Sequence, residues 1–301
     1  MLYLEYLPQF DNYGIKMSEL SHGSHLIKLK QEDITSLVPE VKLKTKIGFL
    51  LGQDTDKDGT KYYTIDKDYV KTCLNAGADL IFLDYDNVYT QLTGCNGLIL
   101  PGGSFNSPTE FYADTTKSSA GADKRSFAYL KAISYAKQHN LPMLGVCAGA
   151  QMIAAASKRK MFSDINKNIF FAKGHKSASD NAHQITVFED SPLFQLLENK
   201  HTVSVNSRHS ECIVDDVIQQ YFADSDIKIY ALSKNDNIPE AWGNFDKNIL
   251  CVQFHPENLA VKGHQGMQNI YNWIVEKSVE YQRKKARELK TPLLRNAKLY
   301  E

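Results

Sequence analysis

The sequence predicts an α/β fold in which a mostly parallel central sheet carries helices on both faces. Short apolar runs that end in glycine or proline alternate with amphipathic stretches at the spacing of β-α-β units. The chain is 301 residues long and 43% hydrophobic, enough for a real core in one large domain or two small ones. Its chemically suggestive residues fall at the carboxyl ends of the apolar runs, where open α/β sheets gather their sites.

Residues 1–45 contain few periodic segments and are read as an extension that packs on or caps a domain spanning 46–281. Ile47-Gly48-Phe49-Leu50-Leu51 is a short apolar run closed by Gly52, as befits a buried parallel strand. Thr64 to Ala76 places Tyr69, Val70, Cys73 and Leu74 on one face before Gly77, which predicts a helix with a glycine stop. Strands follow at 80–83 and 97–100, the second running into Pro101-Gly102-Gly103. A long helix starts near Asp123 with Phe127, Leu130, Ile133 and Ala136 as its stripe. The strand 142–146 leads at once into a helix beginning Ala148-Gly149-Ala150-Gln151. Further strands are expected at 184–188, 203–206, 228–232, 240–242 and 249–254, then a helix from 263 to 281. Residues 282–301 form a basic tail whose Arg283-Lys284-Lys285-Ala286-Arg287 reads as a solvated helix end.

Composition narrows the function. Lys plus Arg and Asp plus Glu both total 35, so no net field draws the chain to nucleic acid or an anionic membrane. No apolar run reaches membrane-spanning length, and the first residues lack the basic and apolar regions of a secretory signal. Five cysteines stand singly, with no CxxC pair, which argues against a disulfide framework or zinc ribbon and for a reducing, cytoplasmic location.

Three segments carry chemistry. Gly145-Val146-Cys147-Ala148-Gly149 joins a buried strand to a helix, the context of a nucleophile elbow. A thiol placed there faces unpaired N–H groups and the positive end of the helix dipole, which favour thiolate. Taken alone, a cysteine at a strand end is more often an inert small hydrophobe. The run 249–254 enters His255-Pro256-Glu257. In extended chain residues two apart share a face, so His255 and Glu257 can project together as a base and its orienting carboxylate. By itself that tripeptide reads as a surface turn; with the cysteine the balance reverses. Leu100-Pro101-Gly102-Gly103-Ser104 ends another strand. Its glycines let backbone N–H groups approach a ligand, so Gly103 and Ala148 are the candidate oxyanion donors.

In this order and context, Pro-Gly-Gly, Gly-Val-Cys-Ala-Gly-Ala-Gln and Val-Gln-Phe-His-Pro-Glu resemble the class I glutamine amidotransferase superfamily over about residues 46–281. The resemblance implies its flavodoxin-like sheet. Within it the chain is most similar to the γ-glutamyl-γ-aminobutyrate hydrolase branch. The likeness lies in His183-Gln184-Ile185-Thr186-Val187, Ser191-Pro192-Leu193, Val205-Asn206-Ser207-Arg208-His209 and Pro239-Glu240-Ala241. It departs from that branch at Ala148, where arginine is usual, and in its long N-terminal extension.

The resemblance implies a cysteine hydrolase that cleaves γ-glutamyl amides through a thioester on Cys147, with His255 and Glu257 completing a triad. Gln151, Asn206, Ser207, Arg208 and His209 would line the glutamyl pocket. This chemistry requires no metal or organic cofactor, and His201, His209 and His264 lack metal-ligand spacing. The expected partner is a small γ-glutamyl substrate, with no nucleic acid and no membrane; a homodimer is compatible with the sequence. Two alternatives remain: a glutaminase subunit that passes ammonia to a synthetase partner, and a non-catalytic binding module of the same fold.

Overall fold

Five strands dense in Leu, Ile, Val and Phe lie parallel at the centre of the molecule, and their burial on both faces explains their lack of alternation. The computed structural model describes residues 1–20, 26–38, 45–114 and 122–297, with side chains to residue 288. In chain order the strands of the first half are β1 (Leu2–Leu7), β2 (Asn12–Lys16), β3 (Ile27–Leu29), β4 (Thr45–Leu50), β5 (Gly52–Thr55), β6 (Lys61–Ile65), β7 (Ala78–Leu83), β8 (Gly97–Leu100) and β9 (Met143–Val146). Those of the second half are β10 (Met161–Phe162), β11 (His183–Val187), β12 (Thr202–Val205), β13 (Cys212–Ile213), β14 (Lys228–Ser233), β15 (Pro239–Asn244) and β16 (Ile249–Val252). A small antiparallel ribbon joins β10 to β13, and the other 14 strands form one sheet in the order β12-β11-β14-β15-β16-β9-β8-β4-β7-β3-β1-β2-β6-β5.

The parallel centre is β16-β9-β8-β4-β7. Antiparallel pairing extends it through β15, β14, β11 and β12 on one side. Helices cover it in two groups. Lys67–Asn75, Pro256–Ala260 and Gln265–Ala297 pack on one another, the last also against β4 and β8. Val88–Leu92, Lys124–His139 and Ala148–Ala155 form the second group, the last of these packing on β9 and β16.

The N-terminal segment does more than cap. β3 pairs with β7, β1 with β3, and β2 with β6, so residues before 45 supply strands to the same sheet. Leu4, Tyr13, Ile15, Ile27 and Leu29 are buried in the large core. Only Leu51 separates β4 from β5, yet β5 lies at the far edge of the sheet order, so this half of the sheet curls back toward the centre. The curl brings Asn12, Asp54 and Asp66 beside the Pro101–Ser104 loop.

Several expected bounds move. Thr64 and Ile65 belong to β6; the helix begins only after Asp66, whose carboxylate caps it by accepting from the N–H of Asp68 at 2.8 Å. In Lys124–His139 the buried stripe runs through Ala128, Tyr129, Ala132, Ile133 and Ala136, while Phe127 is exposed. The helix is rotated from the expected setting because the ring of Tyr129, not that of Phe127, is turned to the core. The last helix runs on to Ala297, through the expected basic tail, and carries its cationic cluster on helical backbone.

Candidate active site

The turn after β9 is tightly constrained. Cys147 sits at φ 51° and ψ −114°, a conformation L-residues rarely adopt, between β9 and the helix Ala148–Ala155. Its N–H donates to the Val252 carbonyl at 2.8 Å, which ties the turn to the end of β16. Glycines on both sides make the close approach possible. A Cβ on Gly149 would lie 2.0 Å from the Leu100 carbonyl oxygen, and one on Gly145 would lie 2.7 Å from Cα of Ala150. Ala148 is the first residue of its helix, so its N–H has no carbonyl one turn earlier to bond.

His255 and Glu257 meet this turn, though not from the extended chain expected of them. β16 ends at Val252, and Pro256 opens the short helix Pro256–Ala260 with His255 as its cap. Proline suits a first helical position because its fixed φ matches and its missing N–H would be unpaired there. The two side chains therefore converge from a helix start. His255 Nδ1 bonds Glu257 Oε1 at 2.6 Å, and Tyr271 donates its hydroxyl to Glu257 Oε2 at 3.3 Å. The Cys147 side chain lies against the imidazole, near enough to bear on its charge. Burial works to lower the pKa of His255, but the charge of Glu257, the neighbouring Cys147 and the hydrogen bond to Glu257 outweigh it and hold His255 well above its ordinary range.

That direction has a sign for stability. A histidine whose folded pKa is raised contributes stability that is complete below the unfolded value of about 6.5 and is lost as pH rises through the folded one. In urea unfolding, the stability gap between the wild type and His255→Gln should be widest near pH 6 and narrow steadily into alkaline pH. A gap that widened with pH would show that His255 is buried neutral.

The Pro-Gly-Gly loop is fitted to this pair atom by atom. A Cβ on Gly102 would come within 2.8 Å of His255 Cε1 and 3.1 Å of Cys147 Cβ, and Gly103 holds φ 136° over a guanidinium. That guanidinium is Arg125, which no sequence motif singles out. It is buried, stacks on Phe105 and Tyr129, and donates Nη2 to the Gly102 carbonyl at 2.8 Å. Tyr129 donates its hydroxyl to the Pro101 carbonyl at 2.6 Å, and Tyr69 Oη accepts from the Gly102 N–H at 3.3 Å. Two tyrosines and an arginine thus fix the loop that carries Gly103.

The residues expected to line a pocket divide into two sets. A cavity of about 150 Å³ beside Cys147 is lined by Ala148, Gln151, Arg208, His209, Glu211 and the 103–105 loop. Asn206 and Ser207 are not on it. Asn206 is buried and clamps the backbone of His255, accepting its N–H at 2.8 Å and donating to its carbonyl at 2.9 Å. Ser207 is buried and donates to the His175 carbonyl at 2.8 Å. Their place in a pocket is corrected on physical grounds. Just past the end of β12 both side chains turn inward to satisfy buried backbone groups, while Arg208 stays exposed. Gln151 lies at the cavity edge, with its amide nitrogen bonded to the Glu211 carbonyl and to Gln253 Oε1.

Asn206→Ala removes both hydrogen bonds that seat His255 without touching the cavity. It should lower kcat by up to ~100-fold, the scale of a misplaced reacting group, with little change in KM. Steady-state kinetics on any turned-over substrate checks this; a KM effect alone would return Asn206 to the pocket wall.

A second cavity of about 270 Å³ lies on the other side of Gly103 and Ser104, lined by Asn12, Asp54, Thr64, Asp66 and Tyr69 among others. Among the described residues, all five cysteines are free, and no helix is long and apolar enough to cross a membrane.

Known proteins resemble the chain in sequence and in fold. The chain is 28% identical over 200 residues to the glutamine amidotransferase-like protein YvdE of Lactococcus lactis, spanning 63% of this chain and 78% of that one. It is 23% identical to the imidazole glycerol phosphate synthase subunit HisH of Natronomonas pharaonis, over 62% of this chain and 81% of that one. A match to the glutamine-hydrolysing GMP synthase of Campylobacter jejuni, 29% identical, covers 60% of this chain but only 33% of that protein. Among solved structures, a GMP synthase subunit from Thermoplasma acidophilum shares the fold at a TM-score of 0.54 and 19% identity, over 81% of this chain and 98% of that one. The glutaminase domain of Trypanosoma brucei CTPS, with bound acivicin, does so at 0.54 and 16%, over 79% and 94%. The family model described as Peptidase C26 matches residues 49–257, a span that contains Cys147, His255 and Glu257, and the chain belongs to that family.

Proposed function

We propose that the protein is a cysteine hydrolase of γ-glutamyl amides, such as γ-glutamyl-γ-aminobutyrate or related compounds. The observation that carries this reading is the convergence of Cys147, His255 and Glu257 beside a small cavity with charged walls. On this reading the Cys147 thiolate attacks the γ-carbonyl, and the N–H groups of Gly103 and Ala148 receive the developing oxyanion. His255, oriented by Glu257, gives its proton to the departing amine. The same imidazole then takes a proton from water, which attacks the thioester and releases glutamate.

The cavity suits a glutamyl head group. Arg208 at its exposed wall presents a guanidinium for the α-carboxylate, and the Glu211 carboxylate, whose Oε2 already accepts the Tyr112 hydroxyl at 2.8 Å, would also receive the α-amino group. Beyond the Gly103–Ser104 divide, the second cavity offers space for the leaving amine. Its side chains include Asp54 and Asp66, and the one cation among its described residues, Arg125, is bonded to the loop. Incubation with a panel of γ-glutamyl amides, reading glutamate release and the intact mass of an acyl-enzyme on Cys147, tests the proposal. No adduct and no glutamate from any member would refute it.

A second reading has its own support. By their names, HisH belongs to a synthase as one of its subunits, and the GMP synthase hydrolyses glutamine. A glutaminase role with a synthetase partner would show as weak hydrolysis of glutamine that rises on adding that partner.

A further inference from the structure

Behind the cavity wall, three histidines converge on one buried glutamate. His175 Nδ1 lies 3.3 Å from His209 Nε2 and 3.2 Å from Glu240 Oε1, and His209 Nε2 lies 3.5 Å from the same oxygen. His183 Nε2 is 3.1 Å from it as well. All four residues are buried, and Glu240 is entirely so. Despite these short separations, neither oxygen of Glu240 nor His183 Nε2 has a hydrogen bond of acceptable geometry.

The outer nitrogens explain why. His175 Nε2 faces Asp236 Oδ2 at 2.9 Å, His209 Nδ1 faces the Glu211 carbonyl at 2.8 Å, and His183 Nδ1 faces the Gly174 carbonyl at 3.4 Å. Carbonyl and carboxylate oxygens only accept, so each ring places its N–H outward. In the neutral tautomer each inner nitrogen then aims a lone pair at a carboxylate. A buried cluster of lone pairs around a negative charge is strongly unfavourable unless a metal ion, or a proton on one inner nitrogen, stands among them.

The spacing fits a metal ion. With metal–ligand bonds of about 2.0–2.1 Å, a tetrahedral zinc site separates its ligand atoms by about 3.3–3.4 Å. The three edges measured here, 3.2, 3.3 and 3.5 Å, form such a face. The carboxylate behind His175 and the carbonyl behind His209 are the outer partners that fix ligand tautomer in metal sites. We propose that His175, His209 and Glu240 bind a divalent transition metal of the zinc class as a structural centre, with His183 flanking it.

Such a centre would pin three segments: the loop bearing His175, strand β15 through Glu240, and the 206–211 segment. The last carries Arg208 on the cavity wall and Asn206 on the backbone of His255. The metal would therefore hold the site's frame without meeting substrate. Sequence spacing could not announce it, because the ligands come from three distant stretches.

The test uses the full chain. Protein from zinc-supplemented medium is dialysed and its metal content measured by plasma mass spectrometry; chelator-stripped protein is then titrated with zinc chloride while Tm is followed. Expected are one zinc per chain, a Tm that rises with zinc concentration, and at least ~100-fold weaker binding in His209→Asn and Glu240→Gln. Asp236→Asn keeps every ligand and should weaken zinc ~10–100-fold, a readout that survives if the ligand variants fail to fold. A Tm indifferent to zinc, or equal zinc affinity in the wild type and Asp236→Asn, would overturn the proposal and leave a proton-sharing histidine–glutamate cluster.

Discussion

Cys147→Ala abolishes turnover of every γ-glutamyl substrate and leaves a folded protein of nearly unchanged stability. The first half follows from the thiol's place against His255, opposite the Gly102–Gly103 loop. No other thiol can substitute. Cys73, Cys212 and Cys251 are held well above the ordinary range by burial, and Cys95 is pushed up to about 12 by the same cause, so all four stay protonated and unreactive. The second half follows from backbone geometry. Alanine retains the Cβ and with it the strain at φ 51°, so little is gained or lost. Cys147→Gly should relieve that strain, which costs about 1–3 kcal/mol at such sites, and raise Tm. Single alanine variants at the other four positions should keep activity, at some cost in packing stability. Residual turnover by Cys147→Ala, with the fold confirmed by circular dichroism, would remove the thiol from the mechanism.

The site was legible wherever local physics sufficed. A glycine on each side of Cys147 is demanded by contacts of 2.7 Å or less, and that demand is written in five consecutive residues. Gly102 and Gly103 after β8 are demanded likewise, by contacts of 2.8 Å and 2.5 Å. What stayed hidden is what tertiary packing decides. Arg125 lies on a helix far from either motif, and its charge resembles that of any surface arginine until Phe105, Tyr129 and the Gly102 carbonyl enclose it. Asn206 carries the right chemistry for a pocket, but only the fold shows its amide facing His255. The N-terminal strands are hidden for a related reason. β1 and β2 bury side chains unevenly along the strand, and β3 is three residues long, so none of them shows a clean period of two.

Substrate choice should separate γ-linked from α-linked glutamyl compounds by a large factor. A γ-glutamyl group presents a free α-carboxylate and α-ammonium to the cavity, where Arg208 and Glu211 stand. An α-linked peptide has converted that carboxylate to the scissile amide, so the guanidinium would face no anion. Sites built to pair polar groups reject a ligand that leaves them unpaired, by a factor of ~10⁴ where such pairing decides recognition. Arg208→Ala tests the charge directly. Losing one charge-assisted bond costs about 2 kcal/mol, or roughly 30-fold in kcat/KM for γ-linked substrates, with α-linked ones unaffected. The leaving-group side should be more permissive, because Ala148 supplies no charge and the second cavity carries Asp54 and Asp66. γ-Glutamyl conjugates of neutral or cationic amines should therefore react at least as well as γ-glutamyl-γ-aminobutyrate, whose terminal carboxylate meets like charge. The comparison is of kcat/KM for γ-glutamyl-γ-aminobutyrate, a γ-glutamyl diamine, glutamine and an α-glutamyl dipeptide. Equal cleavage of the α-linked peptide would refute a glutamyl cavity at Arg208, whereas a strong preference for glutamine would move the protein to the glutaminase reading with Cys147 and its partners intact.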